Sequence, residues 1–340
     1  MSGKMIGKAS VVYSEPVYIV NSASVVGKKE GEGPLGALFD HVGEDDLFGC
    51  KTWEEAESTL QKDAIYLALK KAGVEPQQIR FLCAGDLLGQ CMASSFGVAS
   101  FQIPLLGLYG ACSTCGEGLM VASLLISAGY GDLAMSVTSS HFASAEKEFR
   151  YPLEYGNQRP LSASWTVTGS GAFVLAADRE RGARAKITGV TIGTITDYGV
   201  KDSMNMGACM APAAASTIKM HLEDFNHIPE DYDKIITGDL GSVGSRILCD
   251  LLKKEGYDIE TQHMDCGVEI FDSATQDTHA GGSGCGCSAV TLSAYILRQI
   301  EEQHWKKVLF LPTGALLSKT SFNEGMTVPG IAHGVVIESI

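Results

Sequence analysis

Short apolar runs alternate with longer amphipathic ones along most of this chain, the pattern of strands feeding into helices. Trp53 to Ala72 is the first clear helix, with Thr52 and Glu55 as a capping box ahead of it and Gly73 as its stop. Ile79 to Ala84 predicts a buried strand running into Gly85-Asp86-Leu87-Leu88, followed by a helix near Met92 to Phe101. The strand Ile103 to Tyr109 leads through Gly110-Ala111-Cys112-Ser113-Thr114 into a helix reaching about Gly129. Asp132 to Thr138 is the next strand and ends at Ser139-Ser140-His141. From Phe142 to Thr166 the pattern breaks into a polar, aromatic-rich insertion, and a strand returns at Gly171 to Ala176. The first fifty residues read as irregular, with Gly31 to Gly36 as a loop. Strands alternating with helices predict an α/β fold in which sheets are sandwiched by helices.

An internal repeat organises these elements. Phe81 to Leu87, a strand ending in Gly85-Asp86-Leu87, recurs as Ile235 to Leu240, ending in Gly238-Asp239-Leu240. The entry to the Cys112 helix is echoed by Gly281-Gly282-Ser283-Gly284-Cys285-Gly286-Cys287-Ser288, which enters a helix ending near Ile300. The strand Leu133 to Thr138 is echoed by Val308 to Pro312. The pairs keep the same order and lie roughly 150 to 175 residues apart, so one βα unit is present twice. The division falls near Arg179 to Ala185: an N-terminal half, 1–182, carries the insertion at about 142–166, and a C-terminal half covers 183–340.

Composition narrows the function classes. A net charge of −14 disfavours nonspecific nucleic-acid binding and attraction to anionic lipid. The ten cysteines are sparse for 340 residues and several sit in apolar contexts, such as Cys83 and Cys249, so a reducing compartment is expected rather than a disulfide framework. Cys112-x-x-Cys115 and Cys285-x-Cys287 lack the second pair that a zinc site needs. Gly281 to Gly284 lacks the Lys-Ser/Thr of a phosphate-binding loop. No run approaches the roughly 18 apolar residues of a spanning helix, and Met1 to Lys8 has no signal-peptide core. Membrane association is therefore expected to come through a partner.

Candidate chemistry centres on Cys112. A cysteine at a helix N-terminus faces unpaired N–H groups and the positive end of the helix dipole, which favours a thiolate or another bound anion. Functional loops of α/β sheets gather at strand carboxyl ends. Here these are the Cys112 turn, Asp239 to Gly244, Gly281 to Ser288 and Gly330 to Val335.

These loops, the duplication and the Gly110-Ala111-Cys112-Ser113-Thr114 turn resemble the thiolase and ketoacyl-synthase superfamily. More closely, nearly the whole chain is similar to the stage V sporulation protein AD family. The resemblance is carried by Asp40 to Trp53, Ala84 to Leu88, Thr138 to Ala143, Phe149 to Pro152 and Thr166 to Gly171, and in the second half by Met210 to Ala215, Gly281 to Ala289 and Ala332 to Val335. It implies a thiolase-like duplicated α/β fold, layered α-β-α-β-α with two mixed sheets, and a homodimer. It also implies binding of dipicolinic acid, free or as its calcium chelate. Delivery to membrane proteins of the same stage V transport system during sporulation would follow, with a role in germination. The protein would then sit in the forespore and spore, peripheral at the inner membrane through those partners.

Departures from the condensing enzymes bear on catalysis. Those enzymes pair the cysteine with a histidine and an asparagine, or with two histidines and a second cysteine. This chain has Gly238-Asp239 where the first histidine falls, only glycine and serine near Gly282, and Ile331-Ala332-His333-Gly334 in place of Cys-x-Gly. A condensation needs a general base within hydrogen-bond reach, and a carboxylate such as Asp239 repels a thiolate. The expectation is a non-catalytic pocket with no cofactor and no bound metal. Its expected ligand-binding residues are Cys112, Ser113, Ser140, His141, Arg150, Arg159, Asp239, Ser283 and His333. Arg150 and Arg159 flank an aromatic segment (Phe149, Tyr151, Tyr155) able to stack a pyridine ring, and guanidiniums suit carboxylates. Two other functions stay open at this point: an acyl transferase using Cys112, and a scaffold for partner proteins with a vestigial pocket.

Overall fold

The computed structural model describes residues 4–149 and 158–340. Its frame is ten strands: β1 (Ser10–Val26), β2 (Phe81–Gly85), β3 (Leu105–Gly107), β4 (Leu133–Ser140), β5 (Gly169–Ala176), β6 (Ala185–Thr191), β7 (Lys234–Thr237), β8 (His263–Asp265), β9 (Lys307–Leu311) and β10 (Gly334–Glu338). Hydrogen bonds join them in the order β8-β7-β9-β10-β6-β1-β5-β4-β2-β3. From β1 outward the pairings run antiparallel, antiparallel, parallel, parallel. From β6 outward they repeat that series. The two mixed sheets expected from sequence are thus two five-stranded halves, joined edge to edge by the antiparallel β1–β6 ladder, whose register breaks between Val12 and Val17.

The helices are α1 (Trp53–Ala72), α2 (Met92–Val98), α3 (Thr114–Ser127), α4 (Phe142–Phe149), α5 (Met206–Phe225), α6 (Gly241–Lys254) and α7 (Cys285–Thr291). The last continues through a π-helical stretch at Leu292–Ile296 into Leu297–Glu301. Three apolar cores define the layers. Leu60, Ile65 and Leu69 of α1 pack on Leu82, Met135 and Val174, covering the outer face of the N-terminal half. Ile218 and Leu222 of α5, with Leu248 and Leu252 of α6, pack on Ile235, Leu309 and Val336 of the other. Between the sheets, Leu119 and Ile126 of α3 and Val290 of α7 meet Phe173, Ile187, Phe310 and Val335. Each such buried side chain contributes on the order of 1.5–3 kcal/mol through removal of apolar surface from water.

Local chemistry explains most boundaries. Thr52 Oγ1 accepts the Glu55 N–H at 3.2 Å at the start of α1, and Gly73 ends that helix at φ 64°. The Glu55 carboxylate reaches the Lys51 N–H instead of Thr52, one residue off a reciprocal capping box. The expected strand Ile103 to Tyr109 contracts to the three residues of β3. The expectation of an irregular first fifty residues is wrong: β1 is the longest strand and lies at the centre of the sheet. Its polar residues hide the pattern, because Ser10, Ser22 and Ser24 are buried and hydrogen-bonded, while Pro16 falls inside the register break.

Candidate functional site

The turn from β3 into α3 is tight. Ala111 holds φ 52°, a left-handed conformation that few residues with a Cβ adopt. The Gly110 N–H donates to Thr114 Oγ1 at 3.0 Å, and that hydroxyl donates to the Ala111 carbonyl at 2.6 Å. Ser113 Oγ donates to the Gly110 carbonyl at 2.7 Å. With its neighbours' polar groups closed on the turn itself, half-buried Cys112 faces a small pocket. Leu87, Tyr109, Ala145 and Phe149 line it from the first half of the chain, and Met206, Ser283, Ala315 and Leu317 from the second. No charged residue lines it among the described residues.

Beneath Cys112 lies Asp239, at the carboxyl end of β7 and almost fully buried. Its carboxyl accepts the Gly284 N–H at 2.9 Å and the Thr313 hydroxyl at 2.9 Å. Burial raises the Asp239 carboxyl to about 7. The Cys112 thiol is pushed well above its usual value, first by burial and then by the Asp239 charge; the Gly284 N–H and the Ser283 hydroxyl work the other way. The expected thiolate at a helix N-terminus is therefore not favoured. The helix end supplies partial positive charge, but burial and the nearby Asp239 carboxyl oppose it.

The remaining expected site residues fall elsewhere. Ser140 Oγ donates to the Val167 carbonyl at 2.7 Å and accepts the Gly286 N–H at 3.1 Å, pinning the start of α7. His141 Nε2 bonds the Asp46 carbonyl at 2.7 Å and Nδ1 accepts the Ala143 N–H at 3.1 Å, so the ring is neutral with its proton on Nε2. Burial lowers its pKa further. His333 Nδ1 accepts the Gly193 N–H at 3.2 Å, and burial pulls its pKa down to about 4. Arg159 places its guanidinium 4.7 Å from the Trp165 ring centroid and donates to the Asp277 carbonyl and carboxylate at 2.9 and 3.0 Å. Ser113, Ser140, His141, Arg159 and His333 do not line the pocket. Arg150, Tyr151 and Tyr155 lie outside the described residues.

Of the expected residues, Cys112 and Ser283 line the pocket, and Asp239 is buried outside its lining. Tyr109, Met206, Ala315 and Leu317 were not anticipated as site residues. The signal for the last two was available, since they follow β9 at its carboxyl end, where such loops gather. Among the described residues no group of His, Cys, Asp and Glu is arranged to hold a metal ion, and no helix is long and apolar enough to cross a membrane.

Comparison with known proteins places this geometry. Residues 7–338 match the family model for stage V sporulation protein AD. The curated stage V sporulation protein AD of Bacillus subtilis (strain 168) is 44% identical over 335 residues, covering 98% of each chain. The chain belongs to the stage V sporulation protein AD family. As a member of that family it is a sporulation protein, and its fold is of the thiolase and 3-oxoacyl-[acyl-carrier-protein] synthase III type. The 3-oxoacyl-[acyl-carrier-protein] synthase III of Aquifex aeolicus VF5 superposes with a TM-score of 0.57 at 13% identity, covering 95% of this chain and 99% of that one. Acetamide-bound OleA of Xanthomonas campestris gives 0.59 at 14% identity, over 96% and 99%. The tetronic acid condensing enzyme AbyA1 gives 0.57 at 17%, over 95% and 100%. At such identities the likeness is one of fold, and the pocket chemistry of this family member must be argued from its own residues.

Proposed function

We propose that this sporulation protein binds dipicolinic acid, free or as its calcium chelate, in the pocket above Cys112 without catalysing acyl transfer. It passes that ligand to membrane proteins of the same stage V transport system, at the inner spore membrane, and takes part in germination. The observation that carries the non-catalytic part is the buried Asp239 carboxyl, whose charge adds to burial in pushing the Cys112 thiol up. His141 and His333 are engaged by backbone groups. A thiol in that setting has neither an imidazole nor a side-chain amide to take its proton among the described residues. The ligand part is supported by shape and by the family. Two aromatic rings, Tyr109 and Phe149, and the flexible Met206 line a slot suited to a flat ring. Ser283 and Thr166 offer hydroxyls to carboxylates. Arg150, next in sequence to Phe149, is the guanidinium proposed to neutralise one of them. The proposal includes a homodimer and a division of the chain into halves at 182/183.

Titration calorimetry with dipicolinate is expected to show saturable heat, with a raised melting temperature. Arg150→Ala is expected to weaken binding by about tenfold or more, the scale of a lost charge-assisted pair. Saturating dipicolinate that leaves the melting temperature unchanged removes the binding reading. Acylation of Cys112 by acyl-coenzyme A, seen by mass spectrometry, removes the non-catalytic one.

A further inference from the structure

We infer that Glu57, behind the pocket, is a positioning residue for it: through Ser144 it holds α4 against α1, and so keeps Ala145 and Phe149 in place beside Cys112. The inference rests on the reading that this pocket is the ligand site. Glu57 lies on α1, one turn ahead of Gln61, and both are fully buried. Asp86 and Glu54, which act on it, are acidic as well. A carboxyl in such a place costs stability that an apolar residue of like volume would not, so its presence asks for a role beyond packing.

Its hydrogen bonds supply one. Ser144 Oγ on α4 lies 2.5 Å from Glu57 Oε2, and Ser139 Oγ at the end of β4 lies 3.0 Å from Oε1. Gln61 Nε2 donates among Ser139 Oγ, Ser94 Oγ and the Gly85 carbonyl at 2.9, 2.9 and 3.1 Å. Ser94 Oγ in turn donates to the Asp86 carboxylate at 2.6 Å. This cluster joins α1, α2 and α4 to the carboxyl ends of β2 and β4. Glu57 does not line the pocket, but Leu87 and Ala145, the residues that follow Asp86 and Ser144, do. Leu87, Ala145 and Cys285 form one apolar cluster, with Cys112 and Phe149 packed against it.

Ser144 also bears on which form of Glu57 does this. Its hydroxyl sits 3.1 Å from the His141 carbonyl as well as 2.5 Å from Glu57, and it has one hydrogen to give. A protonated Glu57 donates to Ser144 Oγ, which leaves the Ser144 hydrogen for His141 and Glu57 Oε1 for Ser139. Burial, and then the Asp86 charge, push the Glu57 carboxyl up to about 8, in the same direction. Glutamine reproduces this pattern of one donor and one acceptor; leucine keeps the volume and loses both. Other ties of α4 lie at its first residue, where the Phe142 N–H donates to Thr168 Oγ1 at 3.1 Å and the Phe142 ring stacks on Trp165. The Lys147–Glu54 ion pair is at the surface, where such pairs contribute little.

The test is alkylation of Cys112 by iodoacetamide in the full chain, timed by peptide mass spectrometry, with fully buried Cys83 on β2 as the internal reference. Ser144→Ala and Glu57→Leu are expected to raise the Cys112 rate about tenfold, the shift in local opening that loss of one buried hydrogen bond gives, with the Cys83 rate unchanged. Glu57→Gln should react like the unmodified protein. Dipicolinate should dissociate about tenfold faster from the first two variants, the rate through which such losses act, and at the original rate from Glu57→Gln. An unchanged rate of either kind in Ser144→Ala overturns the inference, even where Glu57→Leu fails to fold. So do Cys112 and Cys83 rates that rise together, which report loosening of the whole molecule, and a Glu57→Gln variant that behaves like Ser144→Ala. An unmodified protein that binds no dipicolinate overturns the ligand reading alone, and the alkylation rates then still decide what holds α4.

Discussion

A buried thiol close to a carboxyl group is a poor nucleophile, and this decides how Cys112 should behave toward reagents. Its pocket admits a small electrophile, yet burial and the Asp239 charge both disfavour the reactive thiolate. Removing that charge with Asp239→Asn is expected to speed alkylation of Cys112 by iodoacetamide at pH 8 by about tenfold, the effect of one unit of thiol pKa. Timed peptide mass spectrometry reads the rate, and an equal or slower rate in the variant contradicts the assignment. Asp239 was legible in the sequence through its repeat partner Asp86, and the two end up alike. Asp86 holds the Leu88 and Ser94 N–H groups, as Asp239 holds Gly284. What the sequence could not show was the sign of the field at Cys112, because the helix dipole is local in sequence and the opposing carboxylate is 127 positions away. The two histidines misled for the same reason. Their partners, Asp46 and Gly193, lie 95 and 140 residues off, so an imidazole that looked free was already committed.

Helices with strong end signals were legible to the residue, as α1 is between Thr52 and Gly73. Elements specified by what packs on them were not, and β1 is the plainest case. A strand buried on both faces need not alternate, and small hydroxyls paired within the core break its apolar run. The start of α7 shows packing of the same kind from the helix side. Its glycines looked like a phosphate loop or a lost catalytic loop, but they are set by clearance. A Cβ on Gly286 would lie 2.4 Å from the Gly169 carbonyl oxygen and 2.6 Å from Ser140 Oγ. One on Gly171 would lie 2.7 Å from the Ala289 backbone. Gly286→Ala is therefore expected to cost about 1–3 kcal/mol or more, as overpacking of a close-packed interior does. Urea denaturation measures it, and a variant of unchanged midpoint shows that α7 has room to move.

For the molecule as a whole, charge and edges decide what it meets. At one end of the sheet β3 pairs on one side only among the described residues, and Leu105 and Leu106 are 42% and 38% exposed there. An open apolar edge invites a second strand, which supports the proposed homodimer. Sedimentation is expected to show a dimer that Leu105→Glu converts to monomer; a monomeric unmodified chain, or a variant that stays dimeric, refutes that placement. The other feature with reach is the β1–β6 ladder. Because Ser10 pairs with Thr191 and Ile19 with Ala185, the duplicated halves share one central seam instead of meeting at a hinge. Prising them apart would mean stripping a row of backbone hydrogen bonds in the middle of the protein, at a cost comparable to unfolding. The two halves therefore hold together as one stiff body. On the proposed reading, ligand would enter and leave through the loops at the strands' carboxyl ends, and a partner would act on those loops rather than by separating the halves.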